Sequence, residues 1–169
     1  MTEDEYVPLA MRTLSPQFHD GLFLPQEMGA AISAALVGVE WLDGLKKAIF
    51  YGKAPERLRV GAASATSYRP RPDLADLTHA ILGIYTEAGE LLQALSRALQ
   101  GEDLDLVNLT EEVGDLLWYF ALLESKGGIS LTEARKKNIQ KLMARYPDRF
   151  DSEAAANRDL EAERKALEE

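Results

Sequence analysis

Two short acidic pairs near the middle of the chain have the residue types and spacing best suited to chemistry. Glu87 and Glu90 form the first pair, and Glu112 and Asp115 form the second. Residues three apart on an α-helix share a face, so each pair presents two carboxylates in one direction. Carboxylates held close together raise one another's pKa and oppose folding unless a cation lies between them. Oxygen-only ligands suit a hard cation such as Mg²⁺, with Mn²⁺ as a substitute.

Each acidic pair borders an apolar stripe with helical spacing, which predicts two neighbouring amphipathic helices. The first stripe is Ile81, Ile84, Ala88, Leu91, Leu92 and Leu95, and the second is Leu109, Val113, Leu116, Leu117 and Phe120. If the stripes pack together, the four acids converge at the edge of the core. Acids on helices are usually solvated, so spacing alone leaves a metal site and a solvated acidic surface as alternatives.

Three stretches around these helices resemble the signatures of the MazG-like nucleotide pyrophosphohydrolases, which belong to the all-α NTP pyrophosphatase superfamily. They are TEAGELL at 86–92, NLTEEVGDLLWY at 108–119 and KNIQKLMARYP at 137–147. The three stretches occur in the family's order, and the resemblance extends from His79 to Phe150. It implies that Glu87, Glu90, Glu112 and Asp115 are catalytic residues and hold Mg²⁺.

The same resemblance implies a Mg²⁺-dependent reaction that clears unwanted nucleotides from the cellular pool. Water attacks the α-phosphorus of a ribo- or deoxynucleoside triphosphate and releases the monophosphate and pyrophosphate. Two alternatives in the same superfamily are a dUTP/dUDP hydrolase and a phosphoribosyl-ATP pyrophosphohydrolase. A third alternative is a non-catalytic helical interaction protein that has kept the fold. The resemblance further implies a homodimer or a dimer of dimers.

Substrate contacts are expected from two places. Asn138, Lys141 and Arg145 share one face of a basic helix and are predicted to bind the phosphate tail, although charged faces are usually only solvated. Tyr119 follows Asp115 by four residues and is predicted to reach a bound base.

A chain of 169 residues predicts one domain, residues 1–169, and the periodicities predict an all-α class. We expect about five helices, with a four-helix core completed by a second subunit. The predicted order is N-terminal helices at 1–52, a basic loop at 53–72, catalytic helices at 73–147 and a charged C-terminal tail at 148–169. Within the tail, residues 151–169 are predicted to form a short, exposed helix. The loop carries Arg57, Arg59, Arg69 and Arg71, which suit either a lid over phosphates or a solvated loop.

The helix predicted at 27–51 has an apolar repeat and a second acidic pair, Glu40 and Asp43, followed by Lys46 and Lys47. Its sequence resembles the segment that usually follows the family's first acidic pair, although here it precedes that pair. We interpret it as a core helix with a solvated acidic edge rather than as a degenerate internal repeat. This unusual order leaves Lys46 and Lys47 without an assigned phosphate role.

Capping residues define the expected helix ends. Asp73 and Asn108 are predicted N-caps, with Glu111 completing a capping box after Asn108. Ser130 is predicted to cap the basic helix, and glycines at 52, 101 and 127–128 are predicted to end helices.

Composition narrows the remaining function classes. The chain has 28 acidic and 19 basic residues and a net charge of −9, which disfavours nucleic acid as a partner. It has no cysteine, so disulfides, thiolate metal ligands and cysteine nucleophiles are excluded. No signal peptide or apolar run of membrane length is recognised, so we expect a cytoplasmic protein without a membrane partner.

Overall fold

The computed structural model describes residues 1–16, 24–53 and 71–168. Regular structure in these ranges is entirely helical, which confirms the predicted all-α class. The ranges contain seven α-helices rather than about five, because the C-terminal tail itself forms two. The chain divides into two compact units, one formed by Phe23–Gly128 and the other by Met1–Leu22 together with Ile129–Glu169.

The central unit contains the helices that carry the acidic pairs. These are α2 (Pro25–Tyr51), α3 (Ala75–Leu99) and α4 (Leu106–Gly127), and a short 3₁₀ turn at Pro72–Leu74 precedes α3. Helix α3 packs against both α2 and α4. Gly52 and Gly128 follow α2 and α4 at φ values of 67° and 68°, which confirms both as C-caps.

Two predicted N-caps in this unit are wrong. Helix α4 begins at Leu106, because the Asp105 carboxylate accepts hydrogen bonds from the backbone N–H groups of Val107 and Asn108. Asn108 therefore lies inside the helix, and its expected capping box with Glu111 does not form. Helix α3 begins at Ala75, with Leu74 at the N-cap position.

The acid-bearing helices pack through a different face from the one that the apolar stripes predicted. On α3 the buried residues are Ala80, Gly83, Thr86, Glu87, Gly89 and Ala94, and on α4 they are Glu112 and Tyr119. Val113 and Leu117, both in the predicted stripe, are instead 46% and 60% exposed. Glu87 and Glu112 thus lie within the helix packing and not at its edge.

Two glycines make this close packing geometrically feasible. A Cβ atom on Gly83 would lie 2.1 Å from the Tyr119 ring, and one on Gly89 would lie 2.3 Å from Val39 Cγ1. Both distances are far below a carbon–carbon contact of about 3.5–4.0 Å. Gly83 therefore allows α4 to approach α3, and Gly89 allows α2 to approach α3.

Helix α2 differs from expectation in its hydropathy. By length and composition alone it is apolar enough to cross a membrane, and it is the one such helix in the described ranges. The sequence reading had found no run of this kind. Core helices of soluble proteins pass the same test, but they are mostly buried, whereas only 6% of this apolar window is buried. The face of α2 that carries Val39 and Lys46 packs against α3.

The other unit contains α1 (Glu3–Met11), α5 (Leu131–Arg145), α6 (Ser152–Ala156) and α7 (Leu160–Glu168), and α5 packs against both α1 and α7. Ser130 caps α5 by accepting a hydrogen bond from the Glu133 N–H, as predicted. The tail is not wholly exposed, because Glu163 on α7 is buried.

The predicted basic loop lies largely outside the described residues. Arg57, Arg59 and Arg69 fall there, so their role as a lid stays a prediction. Arg71 is described, and its guanidinium forms a two-point ion pair with the Asp73 carboxylate.

Candidate metal and active site

Three carboxylates converge between α3 and α4. Glu87 comes from α3, Glu112 and Asp115 come from α4, and one oxygen atom from each lies within 4.8 Å of the others. Glu87 and Glu112 are only 7% and 5% exposed, whereas Asp115 is exposed. Buried like charges at this spacing need a compensating cation. An all-oxygen donor set fits a hard divalent cation such as Mg²⁺.

Glu90, the fourth predicted acid, lies beside this cluster and not within it. Its side chain is exposed and lines a cleft of about 580 Å³ together with Asn108 and Glu112. Partial burial, followed by the negative charges of Glu112 and Glu87, raises the pKa of Glu90 above its ordinary value. The local potential is therefore strongly negative, as a cation site requires.

Asn108 orients one of the buried acids. Its side-chain Nδ2 donates a hydrogen bond of 2.7 Å to Glu112 Oε1, one helical turn further along α4. The sequence had assigned Asn108 to capping, so this positioning role was missed. The four-residue spacing between Asn108 and Glu112 was the available signal.

A buried lysine, also missed from the sequence, reaches the acids from α2. Lys46 is 4% exposed, and its Nζ lies 2.9 Å from Glu87 Oε1 and 2.7 Å from Thr86 Oγ1. Burial acts to lower the pKa of Lys46, but the hydrogen bond and charge of Glu87 outweigh it, so the pKa lies above its ordinary value. The signal was its spacing, since Lys46 follows Val39 by seven residues and so shares its packing face.

An aromatic cavity adjoins the acid cluster. Tyr51, Trp118 and Tyr119 line a space of about 330 Å³ together with Glu87 and Asp115. Tyr119, the predicted base contact, is only 6% exposed, and burial followed by a hydrogen bond to Tyr51 raises its pKa. Tyr51 and Trp118 are 52% and 56% exposed and offer the more accessible ring surfaces.

His79 lies behind this aromatic wall. Its ring stacks on Phe50 at a centroid distance of 4.0 Å and meets Trp118 and Tyr119 edge to face. Burial and the nearby charge of Lys46 lower the pKa of His79. The imidazole is therefore neutral at pH 7 and packs as an aromatic ring.

The three predicted phosphate contacts lie on α5, in the other unit. The Asn138 side-chain oxygen accepts a hydrogen bond from the Tyr6 hydroxyl, and Arg145 makes a two-point ion pair with Glu163. Lys141 is half-buried, and no ion pair is recorded for it among the described residues. A phosphate-binding role for these three residues stays a prediction.

The part of the chain that carries the acid cluster matches a known protein family. Residues 76–150 match the family model described as the MazG nucleotide pyrophosphohydrolase domain. This segment contains both acidic pairs and helix α5, so the resemblance that the motifs predicted is confirmed over it.

One particular relative is the Gene 37 protein of Mycobacterium phage L5. It is 29% identical to this chain over 93 residues, which cover 50% of this chain and 82% of that protein. No solved structure matches the chain.

Proposed function

We propose that this protein is a Mg²⁺-dependent nucleoside triphosphate pyrophosphohydrolase that yields a nucleoside monophosphate and pyrophosphate. The convergence of Glu87, Glu112 and Asp115, with two of the three buried, carries this proposal. A solvated acidic surface would keep its carboxylates apart and in water, whereas like charges buried this close need a compensating cation or a bound proton. Lys46 supplies one positive charge, at Glu87, which leaves two carboxylates whose charge a metal ion would balance. The family match at 76–150 supports a nucleotide as the substrate.

The chemistry follows from the donor set. Glu87, Glu112 and Asp115 would hold the cation, which supplies charge neutralisation at the phosphates and acidifies a bound water. Water attacks the α-phosphorus, the bond to the bridging oxygen breaks, pyrophosphate leaves, and the water proton passes to a carboxylate. Asn108 fixes the orientation of Glu112 during this step, and Lys46 fixes that of Glu87.

The nucleoside is expected to occupy the aromatic cavity. Its volume of about 330 Å³ and its walls of Tyr51 and Trp118 suit a planar ring, which stacks on aromatic surfaces. Asp115 and Glu87 line the same space, so a base bound there would place its phosphates towards the acids. The phosphate-binding role predicted from the sequence for Lys141 is tested separately, by the kinetics of a Lys141 variant.

A second copy of the chain is expected to cover the apolar surface of α4. Val113 and Leu117 are 46% and 60% exposed and lie one turn apart on a single face. We therefore propose a homodimer or a dimer of dimers. Light scattering of the protein and of Leu117→Glu tests this, with the variant expected to be the smaller species.

Pyrophosphate release measured with Mg²⁺ against a panel of ribo- and deoxynucleoside triphosphates and phosphoribosyl-ATP, together with orthophosphate release from dUDP, tests the activity. Asp115→Asn should abolish turnover, because it removes a negative ligand and keeps the volume. Glu111→Gln is the matched control, since Glu111 is an exposed acid on the same helix and lies outside the cluster. Undiminished turnover by Asp115→Asn, or no turnover of any nucleotide by the parent protein, would reject the proposal.

A further inference from the structure

Lys46 is buried within the acid site and is not a counterion on the protein surface. Its Nζ contacts Thr86 and Glu87 at hydrogen-bond distance, and the Asp43 carboxylate lies 3.4 Å away. An ammonium group has three N–H donors, so three oxygen atoms account for all of them. Lysine is almost never this buried unless it is paired.

The packing of α2 holds this ammonium group in place. Val39 lies against Gly89 on α3, two helical turns before Lys46. The Lys46 Nζ also lies 5.2 Å from the centroid of the Tyr119 ring, an additional attraction for a cation. Lys46 therefore keeps its position whether or not a metal ion is bound.

Its charge restricts what else can bind at Glu87. The recorded hydrogen bonds to the Glu87 carboxylate, from Lys46 and from Thr86, both reach Oε1. A divalent cation close to an ammonium group is strongly repelled in a partly buried site. Glu87 is therefore available to a cation only where its carboxylate approaches Glu112 and Asp115.

We infer that Lys46 is a fixed positioning cation that takes the place of a second metal ion at Glu87, so that the nucleotide-free protein binds one divalent cation. This inference rests on the proposed metal-dependent function. It assigns α2, whose order in the chain is unusual for the family signatures, a specific task at the site. A nucleotide brings its own phosphate charge and is therefore left out of the test.

The test is a Mn²⁺ titration of the full chain without nucleotide, with free Mn²⁺ measured by electron paramagnetic resonance. The parent protein should bind one Mn²⁺ per chain. Lys46→Met should bind Mn²⁺ about tenfold more tightly or accept a second ion, because a nearby positive charge is gone. Lys47→Met is the matched control, since Lys47 also pairs with Asp43 but is half exposed, and it should behave like the parent.

The outcomes distinguish a failure of this inference from a failure of the proposed metal-dependent function. Two Mn²⁺ ions per parent chain would overturn the inference alone, and so would unchanged or weaker binding by a folded Lys46→Met. Absence of any Mn²⁺ binding to the parent would overturn the proposed function as well. Should Lys46→Met fail to fold, the parent stoichiometry decides by itself, one ion supporting the inference and two rejecting it.

Discussion

The two glycines inside the acidic pairs, Gly89 and Gly114, should respond in opposite ways to substitution by alanine. Gly89 is buried against Val39, and an added Cβ would lie 2.3 Å from Val39 Cγ1. Restoring a normal contact requires α2 to move by about 1.5 Å. Among the described residues, no atom lies within 4 Å of a Cβ at Gly114, so alanine fits there without displacing any of them.

The magnitudes follow from packing and helix propensity. Overpacking lowers the free energy of unfolding by about 1–3 kcal/mol, and replacing glycine by alanine within a helix raises it by about 1 kcal/mol. Gly89→Ala should therefore lower the free energy of unfolding by about 1 kcal/mol, whereas Gly114→Ala should raise it by about 1 kcal/mol. With a urea m-value of about 2 kcal/mol per molar, the two unfolding midpoints should differ by about 1 M.

Urea unfolding followed by circular dichroism in the presence of EDTA measures this difference without metal stabilisation. Turnover adds a second readout, because moving α2 also displaces Lys46 from Glu87, so Gly89→Ala should lose activity that Gly114→Ala keeps. Coincident unfolding curves, or a more stable Gly89→Ala, would refute the close packing of α2 on α3.

Three further predictions concern charged residues. Glu90→Gln should lower turnover, because the Glu90 charge adds to the negative potential beside the cluster, yet raise the melting temperature in EDTA at pH 7 by about 2 °C. The raised pKa of Glu90 means that its ionised form opposes folding and that stability falls as pH rises through that pKa. Glu163→Gln should lower the free energy of unfolding by about 2 kcal/mol at neutral pH. The variant should also lose the part of the acid destabilisation that arises from protonation of Glu163. The reason is that Arg145 and Arg158 lower the pKa of Glu163 to about 2, so its stabilisation, present above pH 4.5, is lost as pH falls towards 2. Lys141→Ala should lower kcat/KM by about tenfold to a hundredfold with an unchanged melting curve, as expected for a phosphate contact.

Each of these predictions has a result that would contradict it. A metal-free Glu90→Gln protein that melts below the parent would show that the Glu90 charge supports the fold. An acid transition that survives in Glu163→Gln must arise from other carboxylates. For Lys141, the control is Lys136→Ala, an exposed lysine on the same helix, and equal kinetics in both variants would leave α5 a purely structural role.

The helical class was predictable because apolar periodicity and capping residues are local signals. Ser130, Gly52 and Gly128 act as predicted, since no nearby residue competes for their roles. Asn108 failed as a cap because Asp105, three residues earlier, accepts hydrogen bonds from the N–H groups of Val107 and Asn108 and so starts the helix before Asn108. Which of two neighbouring residues caps a helix depends on the path of the preceding loop, and tertiary packing sets that path.

The site was predictable in its acids but not in its supporting residues. The spacing correctly placed Glu112 and Asp115 on one face of a helix. The prediction also took the contact between the helices to be filled by apolar residues, whereas the structure buries acids there. The structure buries Glu112 because Asn108 accompanies it, and Lys46 accompanies Glu87 in the same way. The Lys46–Glu87 pairing joins α2 to α3, and a single sequence gives no direct signal of such a contact between helices. The Asn108–Glu112 pairing lies within α4, where only the four-residue spacing indicates it.

The position of Trp118 has a practical consequence for observing the protein at work. Its indole lines the cavity beside Asp115 and lies 4.9 Å from the Tyr119 ring and 6.0 Å from His79. Indole emission is sensitive to stacking and to neighbouring charge, so a molecule entering the cavity alters the fluorescence at its own binding site. The chain has one other tryptophan, Trp41, which is exposed on α2 and can be replaced by phenylalanine. The protein thus contains an intrinsic optical reporter of site occupancy, free of any attached dye.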